Sequence, residues 1–387
     1  MDFIHLRGVE FILWVQQFKG LEPLMIFISN VGSPLTAYAL VFPVAYYINP
    51  LLGLTTMLCA SFSEWVSGIL KWLLHGHRPY WWVNIYAQQT NTPIFPIEQF
   101  SVTCETGPGS PSGHCMIFMS SLVPMVLYLC NVLPKCSASR YPRFCRDLVV
   151  SSFVCFVLLL GLSRCYLAAH FPHQVVAGTI SGLTIGYLFY LSLPSIKHDQ
   201  GPRKEAIYPV LQYLSAWFQS LLRQPWKMIF LGLGSFGAAW LFSCFLQNVI
   251  GMDINWSIAL AQKSCRKAEW FHLSTSLMVG FARVAGYLCG LALALQLNPP
   301  WTKSISESYL SPSVILTGVI AFMATKVSEH MCRMAVETWT SSAVHSSSDK
   351  EPSSYLLLSS IFEGSMGPLV AAWFIPYFIS LRGTGKV

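Results

Sequence analysis

Residues 104–116 read "CETGPGSPSGHCM", with three glycines, two prolines, two serines and one histidine between long apolar stretches. A segment so polar and so restricted in its backbone is a loop held in a set shape, not part of a hydrophobic span. The flanking sequence decides what kind of chain carries it.

Of the 387 residues, 53% are hydrophobic and only 11% are charged, and the mean hydropathy is +0.51. Soluble domains carry about 25% charged residues, so this chain cannot cover a water-facing surface of its size. Several windows of about 20 residues are nearly free of charge, the length a helix needs to cross about 30 Å of hydrocarbon. The fold class is all-α, a polytopic membrane protein. The opening "MDFIHLRGVEFILWVQQFKG" does not read as a cleaved signal, because Glu10 interrupts the apolar run and no basic region or small-residue cleavage site frames it. It reads as an amphipathic segment, residues 1–22, lying on the membrane surface. The net charge of +7 is spread over loops without a basic run, which excludes nucleic-acid binding. Most of the 12 cysteines, Cys59, Cys130, Cys155, Cys244 and Cys289 among them, lie in apolar segments; no C-x-x-C occurs. Cys104, Cys265 and Cys332 read as loop cysteines that could pair if their side is oxidising.

The hydrophobic pattern predicts about nine transmembrane helices, over 23–47, 51–73, 115–133, 148–165, 174–194, 228–249, 276–297, 311–331 and 355–380. Helix-stopping loops separate them, and residues 1–387 form one membrane domain. Nine crossings put half of the 24 basic residues on one face: Lys135, Arg140, Arg143, Arg146, Lys197, Arg203, Lys204, Arg223, Lys227, Lys303, Arg382 and Lys386. By the positive-inside rule that face, with the C-terminus, is cytosolic, and the N-terminus lies on the opposite side.

The same topology delivers three motif-bearing stretches, all within residues 71–175, to the non-cytosolic face: "KWLLHGHRPYWW" (71–82), "GSPSGH" (109–114) and "SRCYLAAHFPHQV" (163–175). Lys71 and Arg78, seven residues apart, share a helix face if the helix persists to Pro79. Arg164 adds a guanidinium fork suited to phosphate oxygens. Ser112 and Gly113 stand at the start of the third span, where free N–H groups and the helix dipole favour an anion. Together these residues read as a cage for a tetrahedral oxyanion, with His114 and His170 placed as nucleophile and general acid; spacing alone does not rank the two. A lone lysine at a span end is ordinarily a snorkelling anchor and a lone histidine ordinarily structural, but five such side chains with a Ser-Gly turn are not explained that way. Gly107-x-Gly109 lacks the context of a dinucleotide site, and no P-loop sequence follows. His75, His77 and His173 have no carboxylate or cysteine spacing that would make a metal site; His77 and His173 read as supporting groups. Tyr80, Trp81 and Trp82 read as an interfacial aromatic belt rather than a sugar platform.

Lys-x6-Arg-Pro, Pro-Ser-Gly-His and Ser-Arg-x5-His resemble the three-part signature of the phosphatidic-acid-phosphatase type 2 and vanadium haloperoxidase superfamily. Within it "HRPYWW", "CETGPGSPSGH", "YLAAHFPHQVVAG" and "AEWFH" resemble the glucose-6-phosphatase catalytic subunits, over about residues 10–300. The resemblance implies that superfamily's helical core and hydrolysis of glucose-6-phosphate through a phosphohistidine. In that scheme His170 is the nucleophile, His114 is the acid that protonates the sugar oxygen and later activates water, and Lys71, Arg78, Arg164, Ser112 and Gly113 hold the phosphate. It further implies no metal and no cofactor, a multi-pass endoplasmic-reticulum membrane protein with its site and N-terminus lumenal, and coupling to a glucose-6-phosphate transporter of that membrane. Gln174 stands where the superfamily often carries an aspartate that orients the nucleophile. The sequence "LSTSLM" after "AEWFH" lacks the acidic residue and proline of relatives, and "RGTGKV" lacks the dilysine retrieval signal seen in some. The sequon Asn255-Trp256-Ser257 is expected to be exposed on the lumenal side. Alternatives are a phosphatase for another sugar or lipid phosphate, or a non-catalytic membrane protein on the same fold.

Overall fold

Asn49 sets the start of a long helix: its Oδ1 accepts from the N–H groups of Leu51 (2.9 Å) and Leu52 (3.2 Å), and Pro50 supplies the preset first helical φ. In the computed structural model, which describes residues 2–133, 142–193, 208–297, 312–341 and 354–376, that helix runs Pro50–Leu74 and sits at the centre of the bundle. The elements in chain order are α1 (Asp2–Val15), α2 (Glu22–Val31), α3 (Pro34–Ile48), α4 (Pro50–Leu74), α5 (Pro79–Thr90), α6 (Gly113–Val132), α7 (Pro142–Tyr166), α8 (Pro172–Leu191), α9 (Tyr208–Arg223), α10 (Trp226–Asn248), α11 (Trp256–Ser264), α12 (Leu277–Leu297), α13 (Pro312–Ser341) and α14 (Ser354–Phe374). No β-strand forms among the described residues; Glu105 and His272 make an isolated parallel bridge.

The chain is a multi-pass membrane protein. Six helices among the described residues are long and apolar enough to cross a membrane: α6, α7 from Arg143, α8, α10, α12 and α14. The pair α2 and α3, bent by 48° at residues 32–33, makes a seventh if it is one span. Helices stand at the other two expected positions without meeting that test. In α4 the buried face carries Thr55, Thr56, Ser61, Ser63, Glu64, Ser67 and Lys71, and the helix packs against α3, α6, α8 and α12. Helix α13 runs Pro312–Ser341 and includes the apolar stretch Leu316–Ser328. Lys135, Arg140, Lys197, Arg203, Lys204, Lys303, Lys350, Arg382 and Lys386 lie outside the described residues.

The site-bearing helices are drawn together by a stripe of glycines. Gly178, Gly182 and Gly186 recur every fourth residue on α8, all buried. A Cβ on Gly182 would stand 2.5 Å from the carbonyl oxygen of Met116, so α8 lies backbone to backbone on α6. On the outside of the bundle Leu158, Ile180, Phe230 and Leu241 are exposed, as lipid-facing positions are. Helix α1 forms as expected, but its face of His5, Val9, Ile12 and Val15 is buried against protein, with His5 stacked on Phe171 at 4.5 Å.

Candidate active site

Helix α4 brings Lys71 to its last turn and stops at Leu74, where His75 takes a left-handed conformation (φ 46°). The helix therefore does not persist to Pro79, and Lys71 and Arg78 do not share a helix face. Residue 78 precedes proline and is extended (φ −101°, ψ 151°), as the proline ring requires. The reversal folds Gly76 against the 104–112 loop, whose Gly109 N–H donates to the Gly76 carbonyl at 2.7 Å. Gly109 has no room for a side chain: a Cβ would stand 2.6 Å from the His77 carbonyl oxygen and 2.8 Å from Gln174 Oε1.

Glu105 is the hub of what these turns assemble. Arg78 Nη1 lies 2.9 Å from its Oε2, Arg164 Nη2 pairs with its Oε1, His114 Nδ1 is 3.6 Å from Oε1 and His170 Nε2 is 4.0 Å from Oε2. Both guanidiniums are wholly buried. Arg78 is fixed further by donating to the carbonyls of Gly107 (2.7 Å) and Ala169 (3.1 Å), and Arg164 by donating to Ser29 Oγ (2.6 Å). Burial alone would raise the Glu105 carboxyl; the Arg164 and Arg78 guanidiniums override it and hold the group well below the usual carboxylate range. An anion with two oxygens thus occupies the ring of cations and imidazoles.

The two histidines differ in what they offer. His170 Nδ1 is 2.8 Å from the Gly109 carbonyl oxygen, which can only accept, so Nδ1 carries the proton and the Nε2 lone pair faces Arg78 Nη1 at 3.3 Å. Burial first, then the Arg78 and Arg164 charges, push this imidazole well below its ordinary value, leaving it neutral. Gln174 assists from further away: its Oε1 is 3.4 Å from Nδ1, while its Nε2 donates to the His77 carbonyl at 2.6 Å. The orienting group is therefore chiefly a backbone carbonyl. His114 stands in the first turn of α6, beside the loose N–H groups of the helix start. Ser112 caps that start; its N–H is taken by the Gln174 carbonyl (3.1 Å), while its buried Oγ has no partner. Lys71 Nζ lies against Gly113 and Gly107.

Lys71, Gly113, His114, Arg164 and Glu105 line one cavity of about 220 Å³, with Arg78 and His170 behind Glu105. Six of the seven expected site residues thus converge, and the seventh, Ser112, precedes Gly113 at the start of α6 without lining the cavity. Sequence reasoning missed Glu105, although it stands inside the quoted loop; a lone acid amid a cationic signature was the available signal. Three other expectations are corrected. Tyr80, Trp81 and Trp82 are buried core rather than an interfacial belt, and the Tyr80 hydroxyl donates to the Glu105 carbonyl at 2.9 Å. Asn255 is half-buried at the start of α11, not fully exposed. Cys332 lies within α13; Cys104 and Cys265 form a disulfide that ties the 251–276 loop beside Glu105. Among the described residues no group of three or more His, Cys, Asp or Glu converges as a metal site.

Residues 36–197 match the PAP2 superfamily. The chain is 34% identical to mouse glucose-6-phosphatase 3 over 79% of its length and 80% of that protein's. It is 33% identical to the rat glucose-6-phosphatase catalytic subunit 1 over 76% of each, and 29% identical to mouse glucose-6-phosphatase 2 over 98% and 97%. No solved structure matches. The chain belongs to the glucose-6-phosphatase family of the PAP2 superfamily.

Proposed function

We propose that this protein hydrolyses glucose-6-phosphate in two steps through a phosphohistidine on His170. The observation that carries the reading is the His170 ring: proton on Nδ1 toward Gly109, lone pair on Nε2 toward the space between the guanidiniums. The substrate phosphate takes the place that the Glu105 carboxylate holds between Arg78 and Arg164, with Lys71 and the N–H groups at the start of α6 on its other oxygens. His170 Nε2 attacks phosphorus as the bond from phosphorus to the sugar oxygen breaks, and His114 gives that oxygen a proton. Neutral His114 then takes a proton from water; the hydroxide attacks phosphorus, the N–P bond breaks and phosphate leaves. The fixed cations act on charge that grows on the equatorial oxygens in each step.

The setting is the endoplasmic-reticulum membrane with the site lumenal, a reading supported by the Cys104–Cys265 disulfide beside Glu105, since disulfides persist on oxidising faces. A charged sugar phosphate does not cross hydrocarbon unaided, so a lumenal site depends on a transporter that delivers it. The test is phosphate release by the purified full-length protein from glucose-6-phosphate and from phosphatidic acid. Turnover of the sugar phosphate is expected; turnover of phosphatidic acid alone would make the protein a lipid phosphatase.

A further inference from the structure

The cavity continues past the phosphate cage to a polar end buried among the spans. Glu64 and Lys71 both line it, seven residues apart on α4, so they share a helix face about 10 Å apart. Glu64 is 8% exposed; its Oε2 accepts from the Tyr38 hydroxyl at 2.9 Å, and its Oε1 lies 3.4 Å from Arg283 Nη2 on α12. A carboxylate has room for about four hydrogen bonds, so acceptor capacity is left over. Arg283 Nη1 donates to the Ser274 carbonyl at 2.9 Å, but its buried Nε has no partner. Ser276, 4% exposed and also lining the cavity, has an Oγ without a partner. Gly280 keeps the wall open, since a Cβ there would stand 3.2 Å from Glu64 Oε1.

Ionisable groups within spanning helices are costly and are retained where they act. Glu64, Ser276 and Arg283 line one cavity, and unspent donors and acceptors packed in its wall suit hydroxyl groups, each of which both donates and accepts; an acyl chain would leave them all unmet. We infer that Glu64, Arg283 and Ser276 form the subsite for the hydroxyl groups of the leaving alcohol, selecting a polyhydroxylated phosphomonoester. This rests on the proposed function and extends it from the phosphate to the sugar. Glu64 is the specificity-determining residue: with the phosphate on Lys71 and Arg164, a hexose reaches two turns down α4, whereas a flat aryl group finds nothing there to bond.

The experiment compares kcat/KM for glucose-6-phosphate and phenyl phosphate in full-length wild type, Glu64→Gln and Glu64→Asp, each in membranes. The ratio of glucose-6-phosphate to phenyl phosphate is expected to fall about 10-fold in Glu64→Gln, mostly through KM, as for loss of one hydrogen bond to a charged group, and to recover in part in Glu64→Asp. An unchanged ratio, or parallel loss of both substrates in both variants, would make the Glu64–Arg283 pair a tether between α4 and α12 and overturn the subsite. Wild-type protein that turns over phenyl phosphate but no sugar phosphate would instead remove the proposed function beneath it.

Discussion

Arg78 joins five partners with one side chain: the carbonyls of Gly107, Pro108 and Ala169, the carboxylate of Glu105 and Nε2 of His170. Only a planar fork can hold backbone with one edge and an anion with the other. Arg78→Lys keeps the charge but is expected to lower turnover roughly 10²–10³-fold, the scale of a removed transition-state donor. Rates measured at equal protein level check this; near wild-type turnover would take Arg78 out of the cage. Lys71, Arg78, His114, Arg164 and His170 were legible because residue type and spacing carry their chemistry. Glu105 was not, because its role depends on two guanidiniums brought to it from the start of α5 and the end of α7. Glu64 and Arg283 meet only across the interface of α4 with α12, which no local pattern records.

Helix packing holds the two histidines in one place, because α6 carries His114 and α8 begins just after His170. Gly182 makes that approach possible. A side chain there would collide with backbone, which cannot rotate away, so Gly182→Val is expected to lower stability by about 1–3 kcal/mol through overpacking and to reduce activity with it. A Cβ on Gly234 of α10 would meet nothing within 4 Å; Gly234→Ala should be neutral or stabilising by up to about 1 kcal/mol from helix propensity. Thermal unfolding of both variants in detergent separates the two outcomes, and equal shifts would deny that the stripe is a close contact. Most helices were visible as apolar runs bounded by proline and polar loops. The break at His75 was not, since a histidine in a left-handed conformation has no sequence mark. Nor was the burial of Tyr80, Trp81 and Trp82, because aromatic runs look alike at a membrane interface and in a core.

Across the whole molecule, the buried site ties stability to pH. His170, facing Arg78, Arg164, Lys71 and Glu105, is held well below its ordinary value by burial and then by those cations. His5 is lowered to about 4 by burial and then by His173 and His77. Unfolded chains take up these protons near pH 6.5, so their contribution is complete above that pH and is lost as pH falls below it. Glu105, also lowered, adds a second loss below about pH 4.3. The unfolding temperature is therefore expected to be level from pH 8 to 7 and to fall on acidification below 6.5, with a shallower slope in His170→Asn. The same slope in that variant would contradict the neutral, buried imidazole. Least legible in sequence was the setting of α4: hydropathy does not show that it packs against four other helices and buries a row of hydroxyl and charged groups. The central claim remains that His170 Nε2 carries the phosphoryl group, and the direct measurement is alkaline detergent quenching during turnover of ³²P-labelled substrate, with the label identified by its stability in base and its loss in acid. Labelled phosphohistidine is expected in wild type and absent in His170→Ala, while His114→Ala retains label from phenyl phosphate, whose leaving group needs little protonation. Label that persists in His170→Ala and vanishes in His114→Ala would contradict the account.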